Sequence, residues 1–193
     1  MLRCSAVVVA AGIGARFPGA AFGAAVARVA AGLPAGPRVG IVWAGNPAHS
    51  NDRRRSLPPP AVARLAATIS GRLVSLQVGP RAAEAALYGF HDLSPLLTDY
   101  AATAAAVSAL DLVLCVDTSL AHLVGALGKP AWVMLPYAPD WRWMLGHEDT
   151  PWYRTLRLFR QDRPGDWTSV IGRVGAALAR YAPCGTGISP IAQ

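Results

Sequence analysis

The chain has 193 residues, a formal net charge of +7 and a hydrophobic fraction of 53%. That length supports one well-packed domain with an appendage. Because alanine supplies much of the apolar fraction, the composition does not require a membrane, and we expect no membrane span. The three cysteines lie far apart and form neither a Cys-x-x-Cys pair nor a Cys/His ligand spacing. This predicts no disulfide framework, no metal site and a cytoplasmic protein.

The positive charge comes almost wholly from arginine, since Lys129 is the only lysine in the sequence. A basic protein can bind nucleic acid. However, the sequence contains no helix-turn-helix, zinc-finger, RRM or KH pattern, and its arginines are grouped in predicted loops rather than along one helix. We therefore expect small phosphorylated ligands, and no nucleic acid, as partners.

Residues 1–37 are rich in alanine and glycine and show no clear apolar period. The opening MLRCSAVVVAAGIGA has the outline of a signal peptide, although its charged region is thin and the apolar character continues past any cleavage point. AVVVAAGIGARF is also similar to the opening strand and glycine loop of sugar nucleotidyltransferases, but the following residues do not continue that pattern. We interpret 1–37 as a partial or remnant segment that ends in a linker, GLPAGP.

The first strand of the main domain is predicted over 38–45, RVGIVWAG, and it runs into the loop NPAHSNDRRRS, residues 46–56. Three consecutive arginines repel one another, so a bound polyanion is a natural reason for their clustering. A solvated basic loop is the alternative, and it is the commoner role of a run of charge.

Strands and helices alternate through the rest of the domain, which implies a doubly wound parallel sheet. Pro58–Pro60 introduces the first of these helices, because proline is tolerated in a first helical turn. A helix is also predicted with Asp99 as its N-cap. The predicted helices are 61–70, 82–87, 101–110, one from 119, a short one within 137–153, and 166–181; the strands are 72–77, near 90–93, 112–116, 131–135 and 155–159. The domain is predicted to span 38–181, followed by a disordered tail at 182–193.

The most informative segment is LVLCVDTSLAHLVGALGKP, residues 112–130. A β-branched run stops at Asp117, Thr118 and Ser119, which predicts a strand, a tight turn and a helix N-terminus capped by these polar residues. Free backbone N–H groups and the positive end of the helix dipole make such a junction a candidate phosphate site. His122 lies one turn into the helix and can reach back to the same place. A plain capped helix is the alternative interpretation.

A basic loop and a helix N-terminus thus follow two separate predicted strands. The carboxyl ends of parallel strands lie at one edge of the sheet, where ligands of doubly wound folds bind. Together the two strand exits favour a diphosphate clamped at that edge over two unrelated loops.

From residue 38 to about 181 the chain resembles the carboxyl-terminal half of bacterial family 9-type glycosyltransferases. The resemblance is to the heptosyltransferase-like domains that follow tetratricopeptide repeats. The matching blocks are VGIVWAGNPAHSNDRRRS, LDLVLCVDTSLAHLVGALGKP, LPYAPDWRWML, TPWYRTLRLFRQ and PGDW. The resemblance implies one half of a GT-B fold, a Rossmann-like domain that binds a nucleotide diphosphate-sugar donor.

The resemblance also implies which residues contact the donor. The loop arginines would take the place of a lysine-bearing loop against the diphosphate, although Ser50 stands where a basic residue is expected. His122 is the candidate catalytic residue, and one of Trp141 and Trp143 is expected to pack in the core or at an interface. The expected donor-binding residues are Asn46, Asp52, Arg53, Arg54, Arg55, Ser56, Asp117, Thr118, Ser119, His122, Asp140 and Arg142.

Enzymes of the GT-B type stabilise the leaving diphosphate with cations and helix dipoles instead of a divalent metal ion. We therefore expect no metal and no cofactor besides the donor substrate. In related heptosyltransferases the general base comes from the amino-terminal half, for which 1–37 is too short. The chain is interpreted either as a glycosyltransferase domain that works with a missing half or a repeat domain, or as a nucleotide-sugar-binding module without turnover, including an inactive fragment.

Overall fold

The structure is a computed structural model that describes residues 19–69 and 73–181. The signal-peptide outline, the glycine loop near the N-terminus and the tail predicted at 182–193 lie outside the described residues. Within the described part the strands are β1 Val39–Val42, β2 Leu73–Ser75, β3 His91–Asp92, β4 Leu112–Val116, β5 Ala131–Leu135 and β6 Leu156–Arg160. The α-helices there are α1 Ala20–Gly32, α2 Asp52–Arg55, α3 Pro59–Thr68, α4 Tyr100–Ser108, α5 Ser119–Ala126 and α6 Trp167–Leu178. Short 3₁₀ helices lie at Ala82–Tyr88, Ser94–Leu96 and Trp141–Trp143.

The strands form one parallel sheet in the order β3-β2-β1-β4-β5-β6. Val39 of β1 pairs with Leu73 on one side and with Leu112 on the other. From β1 the chain adds β2 and β3 on one side, and it then crosses over to add β4 on the other side of β1. The topological switch point therefore lies between β1 and β4. The predicted α/β, Rossmann-like doubly wound sheet is confirmed.

Helices cover both faces of the sheet. Every residue of β4 and β5 is therefore buried, which explains why these two strands are continuous apolar runs in the sequence. On β4, Val113 and Cys115 face one apolar cluster, whereas Leu112, Leu114 and Val116 face the other. The first cluster includes residues of α4 and α5, and the second includes residues of α3 and α6. Cys115 is fully buried, as expected for a small apolar filler.

Helix α1 is not predicted by the sequence, because its run of alanine and glycine shows no apolar stripe. In the structure α1 contacts α4, and its Phe22, Val26 and Val29 are partly buried against the core of that face. Residues 20–32, expected to be a remnant outside the main domain, thus cover one side of it. The boundary proposed at residues 37 and 38 stays a prediction.

The helix ends mostly follow the predicted capping pattern. Asp99 accepts a hydrogen bond from the Ala102 N–H at 2.7 Å and caps α4, and Gly128 takes the left-handed conformation just after α5. The capping prediction for α5 is wrong, since Thr118 occupies the N-cap position without a capping hydrogen bond from its side chain. No helix in residues 19–69 and 73–181 combines the length and the apolar character that a bilayer crossing needs.

Candidate functional site

A cavity of about 650 Å³ lies beyond the carboxyl ends of β1, β2 and β4. The residues that follow these strands form much of its wall, and the first turn of α4 contributes Tyr100 and Thr103. The cavity lies beside the switch point between β1 and β4, the usual ligand position in open parallel sheets. Its volume is in the range of small-molecule sites.

The cavity brings together residues from both predicted parts of the site. Asn46 and Arg55 come from the basic loop, and Thr118 and Ser119 come from the β4–α5 junction. These two segments are separated by more than sixty positions in the sequence. The expectation that the two strand exits converge is therefore met for these four residues.

Asp52 and Ser56, two other predicted binding residues, stabilise the basic loop through hydrogen bonds. The buried Ser56 hydroxyl accepts a hydrogen bond from the Gly45 N–H at 3.0 Å and donates one to Asp52 Oδ1 at 3.0 Å. Arg55 Nε donates to the same carboxylate oxygen at 3.3 Å. Asp52 and Ser56 thus fix the loop and the Arg55 side chain, and neither lines the cavity.

The three consecutive arginines are not equivalent in the structure. Arg53 and Arg54 are exposed and do not line the cavity, whereas Arg55 is half-buried on its wall. Gly45 allows this placement, because a Cβ atom there would stand 2.6 Å from Arg55 Nη2 and 2.6 Å from Asp52 Oδ1. The structure therefore places one cation of the cluster at the cavity.

Gln77, which sequence analysis did not single out, joins the exits of β1 and β2. Its side chain is 2% exposed. The amide oxygen accepts from the N–H groups of Trp43 and Ala44 at 3.1 and 2.9 Å, and the amide nitrogen donates to the carbonyls of Ala44 and Val78 at 3.1 and 3.0 Å. One side chain thus satisfies four backbone groups at the cavity wall. In the sequence, the only feature that distinguishes Gln77 is its position as a polar residue at the end of a predicted apolar strand.

The N-terminus of α5 presents polar groups to the cavity. Thr118 and Ser119 both line it. The Thr118 hydroxyl is buried and has no hydrogen-bond partner within the described part of the chain. The first N–H groups of a helix lack partners inside that helix, so this junction offers backbone donors to a ligand.

His122 lies one turn further along α5, in contact with aromatic rings and outside the cavity wall. Its ring stacks on Trp143 with centroids 5.3 Å apart, and its Nδ1 atom is 3.2 Å from the Tyr153 hydroxyl. Trp143 is 1% exposed and Trp141 is 69% exposed, so one of the two tryptophans packs inward, as expected.

The remaining predicted residues gather around His122. Asp140 and Arg142 form an ion pair at 2.8 Å, and neither lines the cavity. Burial lowers the pKa of His122 below its ordinary value, an effect that the Asp117 carboxylate opposes, while Arg142 lowers it further and Asp140 raises it. The predicted site thus has two parts, the cavity and the group around His122, with the start of α5 between them.

The lowered pKa of His122 predicts how stability depends on pH. The unfolded ring takes up a proton near its ordinary pKa of about 6.5, whereas the folded ring does so only at a lower pH. The free energy of unfolding should therefore be undiminished above about pH 6.5 and fall as the pH decreases toward the folded-state pKa. Urea unfolding between about pH 7.5 and about pH 5.5 measures this loss. The H122Q variant should show a smaller loss, and an equal loss would contradict the assignment.

Metal ligands are not clustered among residues 19–69 and 73–181, where no three His, Cys, Asp or Glu side chains stand together. The expectation of a metal-independent site stays a prediction.

No family model matches the sequence. A curated relative is the protein FlbA of Caulobacter vibrioides, which is 32% identical over 158 residues. The match covers 78% of this chain and 26% of FlbA, so the chain corresponds to about a quarter of that protein.

Solved structures with the same architecture are heptosyltransferases of E. coli. Heptosyltransferase II, an ADP-heptose LPS heptosyltransferase, aligns with a TM-score of 0.59 and 15% identity over 81% of this chain and 52% of its own. The chain has a heptosyltransferase-like fold. Heptosyltransferase WaaC with ADP-2-deoxy-2-fluoro heptose aligns with a TM-score of 0.55 and 18% identity, and WaaC with ADP does so at 0.55 and 17%. The chain spans about half the length of these heptosyltransferases, covering 48% of WaaC in both structures. The predicted resemblance is confirmed for the fold.

Proposed function

We propose that this chain is the donor-binding half of a heptosyltransferase-like glycosyltransferase and that its cavity binds a nucleotide diphosphate-sugar. The observation that carries the proposal is the convergence of Arg55 with the N-terminus of α5 at the switch point of the sheet. The WaaC structures that share the fold contain ADP or an ADP-sugar analogue.

The phosphate end of the ligand is assigned to the wall between the basic loop and α5. The Arg55 guanidinium is held there by Asp52, and its planar donors suit phosphate oxygens. The first N–H groups of α5, at Thr118 and Ser119 on the cavity wall, supply neutral donors near the same place. A diphosphate would thus be bound by one cation and a helix N-terminus.

The nucleoside end is assigned to the opposite wall, where apolar and polar side chains alternate. Leu76, Val78 and Leu97 provide apolar surface, and Tyr100, which is largely exposed, offers a ring on which a base can stack. The Asp99 carboxylate lines the same wall and can accept a hydrogen bond from a ribose hydroxyl. A nucleoside fits this mixture better than an inorganic anion does.

The sugar and the leaving group are assigned to the residues around the start of α5. Arg55 and the helix dipole would stabilise the charge that develops on the departing diphosphate as the anomeric carbon is displaced. Asp117, Asp140 and Arg142 would border the sugar. The general base is proposed to come from another GT-B half or from a repeat domain of the full protein. A cytoplasmic location and the 38–181 domain bounds remain part of this proposal.

Isothermal calorimetry of the chain with ADP, UDP and GDP tests the proposed function. We expect saturable binding of at least one nucleoside diphosphate, and we expect the affinity to be the same in EDTA and in magnesium. The reason is that side chains and helix N–H groups replace a metal at the phosphates. Absence of binding to all three nucleotides would overturn the proposal, and binding that is lost in EDTA and restored by magnesium would overturn its metal independence.

The alternative, a binding module without turnover, is decided by an activity assay of the chain with donor and acceptor panels. One half of a GT-B cleft cannot position an acceptor hydroxyl or exclude water, and correct orientation of the reactants supplies much of an enzyme's rate enhancement. We expect the chain alone to bind donors weakly and to transfer no sugar at a useful rate. Multiple turnovers would place the base within 38–181, where His122, His49 and Asp140 are the first residues to mutate.

A further inference from the structure

Tyr153 contacts His122 outside the cavity wall. The Tyr153 hydroxyl oxygen is 3.2 Å from His122 Nδ1, and the two rings are tilted with centroids 5.8 Å apart. Trp143 covers another side of the imidazole, stacked at 18° between the ring planes. The imidazole is therefore held by two aromatic side chains and one hydrogen bond.

The position of Tyr153 is itself fixed by its surroundings. Tyr153 is buried at the end of the segment before β6, and its ring lies against Gly125 of α5. A Cβ atom on Gly125 would overlap the ring carbons of Tyr153. The glycine thus allows the tyrosine to approach α5 closely enough for its hydroxyl to reach the His122 ring, which lies one turn earlier.

The direction of this hydrogen bond depends on which nitrogen of the imidazole carries the proton. No other hydrogen bond of the Tyr153 hydroxyl is found within residues 19–69 and 73–181, so its proton is best satisfied by donation to Nδ1. If Nδ1 carried a proton instead, it would donate to the hydroxyl and leave the tyrosine proton without an acceptor there. Donation by Tyr153 fixes the neutral tautomer whose proton is on Nε2.

We propose that Tyr153 is a positioning residue that holds His122 as the Nε2–H tautomer, so that His122 donates a hydrogen bond to the bound donor substrate. This inference rests on the proposed function. A helical side chain points toward the N-terminus of its helix, so the His122 ring leans over the first turn of α5, where the phosphates and the sugar are assigned. His122 is then a neutral donor and not the general base.

The charges around the ring are compatible with a neutral imidazole. Asp117 at the exit of β4 and Asp140 after β5 favour protonation, while Arg142 and burial oppose it, and the net effect lowers the pKa of His122. Burial raises the pKa of Tyr153, which keeps its phenol protonated and able to donate. Both groups therefore hold the protonation states that the hydrogen bond requires at neutral pH.

Nitrogen-15 NMR of the ligand-free chain tests the tautomer without any nucleotide. We expect Nε2 of His122 to be protonated and Nδ1 to be unprotonated in the wild type. The Y153F variant should lose this preference and populate both tautomers, whereas Y181F should keep it. Y181F is a matched control, since its hydroxyl donates to the Asp111 carbonyl at the opposite edge of the sheet. A wild-type ring protonated on Nδ1 would overturn the proposal.

A double-mutant cycle with ADP tests the contribution of Tyr153 to binding. We expect Y153F to weaken affinity by about three- to tenfold, the usual effect of one lost hydrogen bond. In the H122A background the same change should have no further effect, because its action passes through His122. An equal loss in both backgrounds would show a purely structural role and overturn the inference. If the wild type binds no nucleotide, the proposed function fails, and the NMR measurement still decides the tautomer.

Discussion

Replacement of Arg55 by alanine should weaken the binding of ADP by about ten- to a hundredfold, the effect expected for one lost hydrogen bond to a charged group. Arg55 is the member of the arginine cluster that lines the cavity, and Asp52 holds its guanidinium in place. Replacement of Arg53 should change the affinity by less than about twofold, since an exposed cation outside the cavity acts only through screened long-range charge. Calorimetry measures both affinities.

The R53A variant is a matched control, because it removes the same charge from the same helix, α2. Thermal unfolding of R55A should accompany the titration, so that a loss of loop structure is distinguished from the loss of a ligand contact. From the run of arginines alone, one instead expects the R53A/R54A double variant to bind ADP more than about tenfold more weakly. If the double variant loses that much and R55A does not, the loop binds its ligand in another arrangement and the assignment of Arg55 is wrong.

The difference among the arginines shows what sequence patterns leave undetermined. Three adjacent arginines predict a site for a polyanion, but nothing in their order says which one faces it. The answer depends on the single turn of α2, where Asp52 and Arg55 stand on the same side at a spacing of three residues. The buried Ser56 then ties that turn to the Gly45 backbone. These contacts depend on tertiary structure that local composition does not encode.

The β4–α5 junction was predictable because its signals are local. An apolar run that ends in polar residues, followed by a helical stripe and a glycine, fixes a strand, a turn and a helix whatever the rest of the chain does. The role of the Thr118 side chain was not predictable, since its hydroxyl is left without a capping partner. Whether a side chain at an N-cap position forms its capping bond depends on its rotamer and its packing, which the local sequence does not specify.

The grouping of Asp140, Arg142 and Tyr153 around His122 could be expected only in part. The resemblance to glycosyltransferases indicated the first two residues, which lie in a recognisable block. Tyr153 reaches His122 across 31 positions of sequence, and its approach requires Gly125 on the facing helix. No local pattern around Gly125 indicates that it faces a tyrosine ring from a distant segment.

Gln77 could not be recognised because its importance comes from two separate strand exits. Within the strand pattern it is only the polar residue that ends an apolar run. In the structure its amide connects Trp43 and Ala44 after β1 with Val78 after β2, and it does so without a second side chain. Since parallel strands are not joined by hairpins, a side chain that pairs with both exits can fix their separation at the ligand edge.

Replacement of Gln77 by leucine should lower the free energy of unfolding by about 4–6 kcal/mol, because leucine has a similar size but leaves four backbone donors and acceptors unpaired at about 1–3 kcal/mol each. The lower part of the summed range is expected, since water can enter from the adjoining cavity. Urea unfolding measures the loss. Nucleotide affinity should fall as well, since both exits form the cavity wall.

Replacement of Gln161 by leucine is the matched control for this experiment. Gln161 is also a buried amide at a strand exit, and its oxygen accepts from the Tyr137 and Gly165 N–H groups at 3.1 and 3.0 Å. It does not line the cavity. Q161L should therefore lower stability by a smaller amount and leave ADP affinity unchanged in the remaining folded protein. If Q77L lost less than about 1 kcal/mol, the value of a single hydrogen bond, Gln77 would not be what holds the two strand exits together.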